Sequence, residues 1–148
     1  MSLPEFIDGD DLPPGVHPAT IHEVLQRFGA RPARRIVVSG RLERIYRVAQ
    51  ATGQVARFIV FGSFVTAKPE PNDVDVFLLM EDTFDASLLH GEPHLLFDHA
   101  SAQTHFGASV FWIRRLAALG GEQPTIEYWQ IKRDGGRRGI VEIVEESP

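Results

Sequence analysis

The sequence predicts an α/β (α+β) fold in which a mixed β-sheet, flanked by helices, forms one small domain. Apolar residues recur at helical spacing in the first third of the chain. Two runs, Val55–Phe61 and Val74–Met80, have the β-branched and aromatic composition of buried strands. The length of 148 residues is that of a single domain. We therefore expect an irregular leader over residues 1–17 and a single domain over residues 18–148.

The composition is that of a soluble globular protein, with 43% hydrophobic and 24% charged residues. The chain has no cysteine, which excludes disulfides, thiolate metal sites and thiol nucleophiles. The first residues lack the order of a signal peptide, and no apolar run approaches the roughly 20 residues of a membrane span. We expect a cytoplasmic protein that has no membrane partner.

Charge is unevenly distributed along the chain. The net charge of −5 argues against general binding of polyanions. Eight arginines and one acid nevertheless lie between Arg27 and Arg57. A second basic cluster consists of Lys132, Arg133, Arg137 and Arg138. Two interpretations stay open: these residues form solvated helix and turn surfaces, or one cluster faces a phosphate-bearing ligand or an acidic partner.

The first third of the chain predicts two helices. Thr20 and Glu23 have the spacing of a capping box, apolar residues follow at helical spacing, and Gly29 ends this helix. A second helix is expected from Pro32 to Ala51. Its apolar residues lie mostly on one side, with arginines on the other. They are Ile36, Val37, Leu42, Ile45, Tyr46 and Val48.

The remainder predicts strands and short helices joined by loops. Residues 62–72 form a proline-containing loop between the two buried strands. Beyond the second strand we expect a short helix over 83–89, a third strand over 94–97 and a helix over 108–119. Residues 126–131 and 139–144 are two strands, or a strand after a helix, joined by a hairpin turn at 134–136.

The segment that joins the two buried strands carries the chemistry. Asp73 and Asp75 stand at i and i+2, so their carboxylates share one face of a strand and repel each other. A hard divalent cation, Mg²⁺ or Mn²⁺, relieves this repulsion and accepts carboxylate, water and phosphate ligands. The bend at Gly62 and Ser63 offers backbone N–H groups and a hydroxyl to an anion, and Lys68 adds a positive charge. These are the parts that metal-assisted phosphoryl transfer requires.

Two acids at a strand entry also arise by chance as solvated turn residues. The glycine-serine element, at a fitting distance between two strands of buried composition, favours the site over that alternative.

The pattern of a hydrophobic residue, Gly-Ser, a loop and then Asp-hydrophobic-Asp-hydrophobic resembles the signature of the DNA polymerase β-type nucleotidyltransferase superfamily. The segment GSFVTAKPEPNDVDV is similar to the corresponding segment of a family of small stand-alone members. Three other segments also resemble that family: LPPGVHPAT, FDHASAQTHFG and RDGGRRGIVEI. The resemblance extends from residue 12 to 143, and the signature itself covers 61–76. It implies a small nucleotidyltransferase-fold domain, a Gly-Ser turn that holds the nucleotide's phosphates, and paired acids that bind the catalytic metal.

The resemblance also implies a third carboxylate on a later strand beside the pair, acting as metal ligand and general base. Asp98, which ends the apolar run 95–97, is the best candidate, and the alternative is that it caps a helix over 100–104. Asp82 and Asp85 are weaker candidates because they lie just past the second strand.

We therefore expect a magnesium-dependent nucleotidyltransferase that moves a nucleoside monophosphate from a nucleoside triphosphate to a protein hydroxyl, an RNA 3′ end or a small molecule. Catalysis and metal binding fall to Asp73, Asp75 and Asp98. The short chain leaves little room for the helical domain of larger members, so a partner protein or a second copy would complete the site, or a toxin–antitoxin-like minimal enzyme acts on a macromolecule. A catalytically silent nucleotide- or partner-binding module and a metal-dependent phosphohydrolase remain as alternatives.

Histidines and large aromatic residues are assigned no role in catalysis. Four histidines, at positions 90, 94, 99 and 105, lack the spacing of a helical zinc site, and we expect them at the surface or beside the site. Trp112, Tyr128 and Trp129 are expected in the core rather than as a base-stacking platform, because the basic clusters are not interleaved with them.

Overall fold

The structure, a computed structural model, describes residues 3–7 and 9–145. Residues 1, 2 and 8 of the expected leader, and residues 146–148 of the expected domain, lie outside this part. The described residues form one five-stranded mixed sheet flanked by helices, so the predicted fold class is confirmed. Across the same residues, no helix has both the length and the apolar composition that crossing a bilayer requires.

The sheet has the strand order β1-β5-β2-β3-β4. Its strands are β1 Val16–Ala19, β2 Val55–Phe61, β3 Val74–Met80, β4 Ala108–Arg114 and β5 Ile140–Ile143. Strand β2 runs antiparallel to β3 and β5, whereas β1 pairs with β5, and β4 with β3, in parallel. The C-terminal end of β2 and the N-terminal ends of β3 and β4 therefore lie side by side, at the same end of their strands. Both buried strands predicted from the sequence are confirmed.

Five α-helices lie in the described part of the chain. They are α1 Ile21–Phe28, α2 Ala33–Ala51, α3 Glu92–Leu96, α4 His99–Phe106 and α5 Glu122–Tyr128. The capping box is confirmed, because Thr20 Oγ1 accepts from Glu23 N at 3.1 Å and Glu23 Oε1 accepts from Thr20 N at 2.9 Å. Both predicted N-terminal helices are present.

The predicted apolar face of α2 is wrong at its first turn. Ile36 and Val37 are 54% and 52% exposed, whereas Arg35 is only 4% exposed. The buried stripe of α2 consists of Val38, Leu42, Ile45 and Ala49. At about 100° per residue, Ile36 and Val37 point away from that stripe, and Arg35 lies one turn before it.

The two faces of the sheet are covered differently. Helices α1 to α4 pack on one face, where they bury the side chains of Val60, Val76 and Val110. The opposite face packs against α5 in a smaller cluster. This cluster consists of Ile59, Phe77, Leu79, Ile126 and Ile140. Because side chains alternate along a strand, Asp75 shares the α5 face with Phe77 and Leu79.

Three predicted elements differ from the structure. Residues 108–119 were expected as a helix but form β4 and a short 3₁₀ turn at Arg115–Ala117. The side chains of Ala108, Val110 and Trp112 lie on one face of β4, and the residues between them lie on the other. Residues 94–97, expected as a strand, end helix α3, which starts with a proline near its N-terminus. The helix expected over 83–89 is a 3₁₀ turn at Ala86–Leu88. For residues 126–144, the alternative of a strand after a helix is confirmed.

The expected leader contributes to the sheet and to the core. Strand β1 begins at Val16, inside the segment expected to be irregular, and Leu12 is fully buried. Gly139 N donates to Leu12 O at 2.9 Å. This hydrogen bond lies immediately before β5, which then pairs with β1 in parallel. The short strand escaped prediction because its partner lies more than 100 residues away.

Candidate functional site

A cavity of about 800 Å³ opens on the α5 side of the sheet, at the edge where β2 ends and where β3 and β4 begin. Gly62, Ser63, Lys68, Asp73 and Asp75 all line it. The structure thus brings together five of the six residues that the sequence predicts for the site. The sixth, Asp98, lies elsewhere.

The pairing of β2 with β3 places the glycine bend against one of the two acids. Phe61, the last residue of β2, is in register with Asp75, so Gly62 turns away directly beside the Asp75 carboxylate. Gly62 has φ +81°, and a Cβ built on it would lie 2.1 Å from Asp75 Oδ2. Only glycine suits both this backbone conformation and this close approach.

After the bend, the chain forms a 3₁₀ turn at Ser63–Val65. Ser63 O accepts hydrogen bonds from Thr66 N at 3.2 Å and from Thr66 Oγ1 at 2.7 Å. The Thr66 hydroxyl in turn accepts from Lys68 N at 3.1 Å. This network determines the path of the loop between Ser63 and Lys68, whose side chains line the cavity.

Arg35 of α2 fastens the same loop to the body of the protein. Its guanidinium donates to Phe64 O at 2.7 Å, to Thr66 O at 2.6 Å and, through Nε, to Lys68 O at 2.9 Å. A further bond reaches Phe28 O at 3.1 Å. Burial lowers the pKa of the Arg35 guanidinium. A buried charge is tolerated in proteins where hydrogen bonds replace its hydration, and these carbonyls do so here.

Arg34 holds the other end of the loop. Its Nε donates to Pro71 O at 3.2 Å and its Nη2 to Asn72 O at 2.8 Å, immediately before Asp73. The roles of Arg34 and Arg35 were not predicted from the sequence. For Arg35 a signal existed, because it lies three residues before Val38 on the buried stripe of α2. Of the eight arginines between Arg27 and Arg57, all within the described residues, none lines the cavity.

The surroundings of both paired acids disfavour their ionised forms. Burial and, to a lesser extent, the neighbouring Asp73 charge raise the pKa of Asp75 to about 6, against the lowering effects of Arg138, Ser109 and Arg133. Burial also raises the pKa of Asp73, opposed by the charges of Arg41 and Arg34. A cation between the two carboxylates would remove both penalties.

The donor set fits Mg²⁺ or Mn²⁺, because these cations take one or two carboxylates and complete their coordination with water and phosphate. Asp73 and Asp75 would be the protein ligands. Within residues 3–7 and 9–145, no three His, Cys, Asp or Glu side chains are grouped to hold a metal ion. The remaining coordination positions would therefore belong to water and substrate oxygens.

Asp98 lies outside the cavity. It is exposed and caps α4, with its Oδ2 accepting from Ser101 N at 3.0 Å and from Ser101 Oγ at 2.5 Å. These hydrogen bonds lower the pKa of Asp98. The structure therefore has the helix-capping geometry that the sequence left as the alternative. The weaker candidates Asp82 and Asp85 accept from backbone N–H groups of Leu116 and Ser87, also away from the cavity.

The position next to Asp75 on the following strand is occupied by Ser109. Strand β4 runs beside β3 with Asp75 and Ser109 in register, and Ser109 lines the cavity. A third acid, Asp134, also lines the cavity, and its Oδ1 accepts from Gly136 N at 2.8 Å.

The second basic cluster, rather than the first, faces the cavity. Lys132, Arg133 and Arg138 all line it, on the turn that follows α5. Asp11 anchors two of them, with its carboxylate 3.0 Å from Lys132 Nζ and 3.6 Å from Arg138 Nη1. Arg137, the fourth member of the cluster, does not line the cavity.

Three aromatic rings complete the wall of the cavity. The Trp129 ring centroid lies 4.6 Å from that of Phe61 and 5.2 Å from that of Phe111. Trp129 is partly buried and packs against the core cluster of the α5 face, as expected, while it also lines the cavity. The expected core position is wrong for Tyr128, which is 61% exposed. Trp112 does pack inside, with its indole N–H donating to Phe97 O at 2.9 Å. The buried Trp129 indole nitrogen has no acceptor among the residues that the structure describes.

None of the four clustered histidines lines the cavity, although His99 contacts Phe111, which does. His105 Nε2 is 2.9 Å from Glu92 Oε2, and the His99 ring packs 5.0 Å from the ring of Phe111. His90 and His94 are exposed.

One protein family, described as "Family of unknown function (DUF6932)", matches residues 4–144 of this chain. The match includes every residue of the cavity. No curated protein and no solved structure matches the chain.

Proposed function

For this chain, which belongs to the DUF6932 family of unknown function, we propose the activity of a metal-dependent nucleotidyltransferase. The reaction transfers a nucleoside monophosphate from a nucleoside triphosphate to an acceptor hydroxyl. The observation that carries the proposal is the contact of the Gly62 bend with Asp75, inside a cavity that also holds Asp73, Ser63 and Lys68. An anion-binding bend and a cation-binding pair within one cavity suit a magnesium-bound polyphosphate.

Each of these residues has a distinct role in the proposed complex. Asp73 and Asp75 would hold Mg²⁺ or Mn²⁺, and the cation would stabilise the charge that develops on the transferred phosphoryl group. Gly62 lets the backbone approach the β- and γ-phosphates, and the Ser63 hydroxyl and the Lys68 ammonium bind their oxygens. The buried guanidinium of Arg35 keeps the loop in place before substrate arrives.

The reaction forms a bond between the acceptor oxygen and the α-phosphorus and breaks the bond from that phosphorus to the β-phosphate bridge oxygen. Pyrophosphate leaves, and the acceptor hydroxyl loses its proton to a base. In related chemistry a third carboxylate beside the pair would accept that proton. Here Ser109 stands beside Asp75, and Asp98 caps a helix outside the cavity.

This arrangement favours a second candidate function, a catalytically silent module that binds a nucleotide. Such a module needs the Gly62–Ser63 bend and the Asp73–Asp75 pair, but it needs no base. Such a module has no acceptor hydroxyl to deprotonate, so a serine in place of a third carboxylate beside Asp75 costs it nothing.

Label transfer separates the two functions. The protein is incubated with Mg²⁺, an α-³²P-labelled nucleoside triphosphate and, in parallel, total RNA, a protein mixture or no added acceptor. Labelled acceptor together with released pyrophosphate, both lost in Asp75→Asn, supports the transferase. Magnesium-dependent binding without labelled acceptor supports the silent module. Steady release of phosphate or pyrophosphate without labelled acceptor contradicts both and indicates a phosphohydrolase.

Asp98→Asn is the matched control for Asp75→Asn, because the chemical change is the same. An asparagine at position 98 still caps α4. We expect this variant to retain the binding and activity of the unmodified chain.

A further inference from the structure

We propose that the rings of Phe61, Phe111 and Trp129 form a stacking platform for the base of the bound nucleotide. We call these three residues the aromatic wall. The inference rests on the proposed function, since it locates the base of the nucleotide whose phosphates lie at Gly62 and Asp75.

The three rings form a continuous surface. Trp129 packs against both phenylalanines, tilted by 34° to Phe61 and by 33° to Phe111, and the two phenylalanine centroids are themselves 6.2 Å apart. Phe77 extends the stack into the core, with its centroid 5.1 Å from that of Trp129 and its side chain almost fully buried. Phe111 differs, because it lines the cavity and is 37% exposed, with the His99 ring packed 5.0 Å from its own ring. A planar ligand could therefore continue this stack from the cavity.

Strand register places the aromatic wall directly beside the phosphate site. Phe61 precedes Gly62 and pairs with Asp75, and Phe111 is two residues beyond Ser109 on the same face of β4. Two residues of a strand cover about 7 Å. This is the scale on which a ribose separates a base from its α-phosphate, so phosphates at the acids put the base over the rings.

Stacking suits any nucleobase, because each of the bases presents a flat π-face. Loss of one base–aromatic stack typically weakens binding by roughly tenfold or more. The wall provides a flat apolar surface but no array of base-edge hydrogen bonds. We therefore expect a preference for nucleotides over bare polyphosphate that exceeds any preference between bases.

Trp129 can report directly on binding, because the chain has only two tryptophans. Trp112 packs on the opposite side of the sheet, against Phe84 and Phe97. In a Trp112→Phe background, Trp129 is the sole indole fluorophore. Its emission is followed during titration with Mg²⁺ and a non-hydrolysable nucleoside triphosphate, and separately with Mg²⁺ and tripolyphosphate, with calorimetry giving both affinities.

The proposal predicts that the nucleotide quenches Trp129 and binds on the order of tenfold more tightly than tripolyphosphate. Phe111→Leu should remove most of that advantage while leaving the tripolyphosphate affinity unchanged. Phe111→Tyr retains the ring and should bind like the unmodified chain, which separates loss of stacking from loss of folding. Leu116→Ala, an 84% exposed apolar residue outside the cavity, should change neither affinity.

Two results would overturn the inference, and they differ in what they mean for the function. Equal affinities for nucleotide and tripolyphosphate, both lost in Asp75→Asn and both unaffected by Phe111→Leu, would remove the base from the aromatic wall but keep the phosphate site. Failure of both ligands to bind the unmodified chain would remove the proposed function, and the stacking platform with it.

Discussion

Gly62 and Asp75 approach so closely that a Cβ atom on Gly62 would lie 2.1 Å from Asp75 Oδ2. The contact follows from the register of β2 with β3, which sets Phe61 opposite Asp75. It joins the two halves of the proposed site, the anion-binding bend and the cation-binding acids. The arrangement leaves no room for a side chain at position 62 unless the carboxylate moves.

Gly62→Ala should therefore disrupt the site and cost about 2 kcal/mol or more of folding stability, because the methyl group meets Asp75 and the backbone has positive φ. Gly53→Ala is the matched control, since Gly53 has φ +66° but nothing within 4 Å of the added Cβ. It should cost only about 1 kcal/mol, from the backbone alone. Urea denaturation measures both values, and equal losses would show that the contact with Asp75 is unimportant.

The raised pKa of Asp75 predicts a specific dependence of stability on pH. Its pKa is about 6 in the folded protein against an ordinary value of 3.8, so folding favours the protonated acid. Without metal, this group therefore supports folding most at pH below about 4. As pH rises through 6, this contribution of Asp75 to the free energy of unfolding is lost, and stability falls by about 2–3 kcal/mol.

Asp75→Asn removes this titration. At pH 7.5 without divalent metal, the variant should therefore be more stable than the unmodified chain by about 2 kcal/mol, and at pH 4 the difference should shrink. Added Mg²⁺ should stabilise only the unmodified chain. Urea denaturation from pH 4 to 8 checks this, and a stability difference that stays flat with pH would refute the proposed ionisation.

Arg35 should be among the most important residues for stability outside the apolar core. Arg35→Ala leaves the carbonyls of Phe64, Thr66 and Lys68 without their buried donor, and we expect a loss of about 3 kcal/mol. Arg31→Ala, at an exposed neighbouring arginine, should change stability by less than about 0.5 kcal/mol. Chemical denaturation of both variants provides the comparison. A loss below 1 kcal/mol for Arg35→Ala would show that the loop does not depend on this anchor.

The basic turn after α5 should contribute to the binding of polyphosphate. Arg133→Gln and Arg138→Gln each remove a cation that lines the cavity, and each should lower the affinity for a magnesium nucleotide several-fold. Arg137→Gln makes the same chemical change outside the cavity and should have little effect. Calorimetry at low and high salt tests this, because the difference should diminish as salt screens the charges. Equal effects of the three substitutions would indicate a general charge effect instead.

Local sequence patterns predicted the elements that hold the acids, and long-range contacts explain most of what they missed. Strands β2 and β3 and the capping box at Thr20 are encoded by neighbouring residues, and the structure confirms them. Strand β1 depends on a partner strand that is distant in the chain. In β4, apolar residues alternate as in a strand, but the same stretch also has apolar residues at helical spacing. Periodicity alone does not distinguish such cases.

In the candidate site, too, features encoded by neighbouring residues were predicted and features that depend on long-range contacts were not. The Gly62–Ser63 bend and the two acids were predicted because one loop connects them in sequence. Residues from α2 and from the turn after α5 reach the cavity region only through tertiary packing, so Arg35 and Trp129 were missed. Asp98 was chosen for its place after an apolar run, but that run ends a helix, and the side chain caps the next helix.

Magnesium-dependent nucleotide binding by the Asp73–Asp75 pair is open to a decisive measurement. Calorimetry with a non-hydrolysable nucleoside triphosphate, with and without Mg²⁺, is carried out on the unmodified chain, on Asp73→Asn/Asp75→Asn and on Asp98→Asn. We predict metal-dependent binding by the unmodified chain and by Asp98→Asn, and none by the double variant. Undiminished binding by the double variant, or no binding by the unmodified chain, would contradict the account.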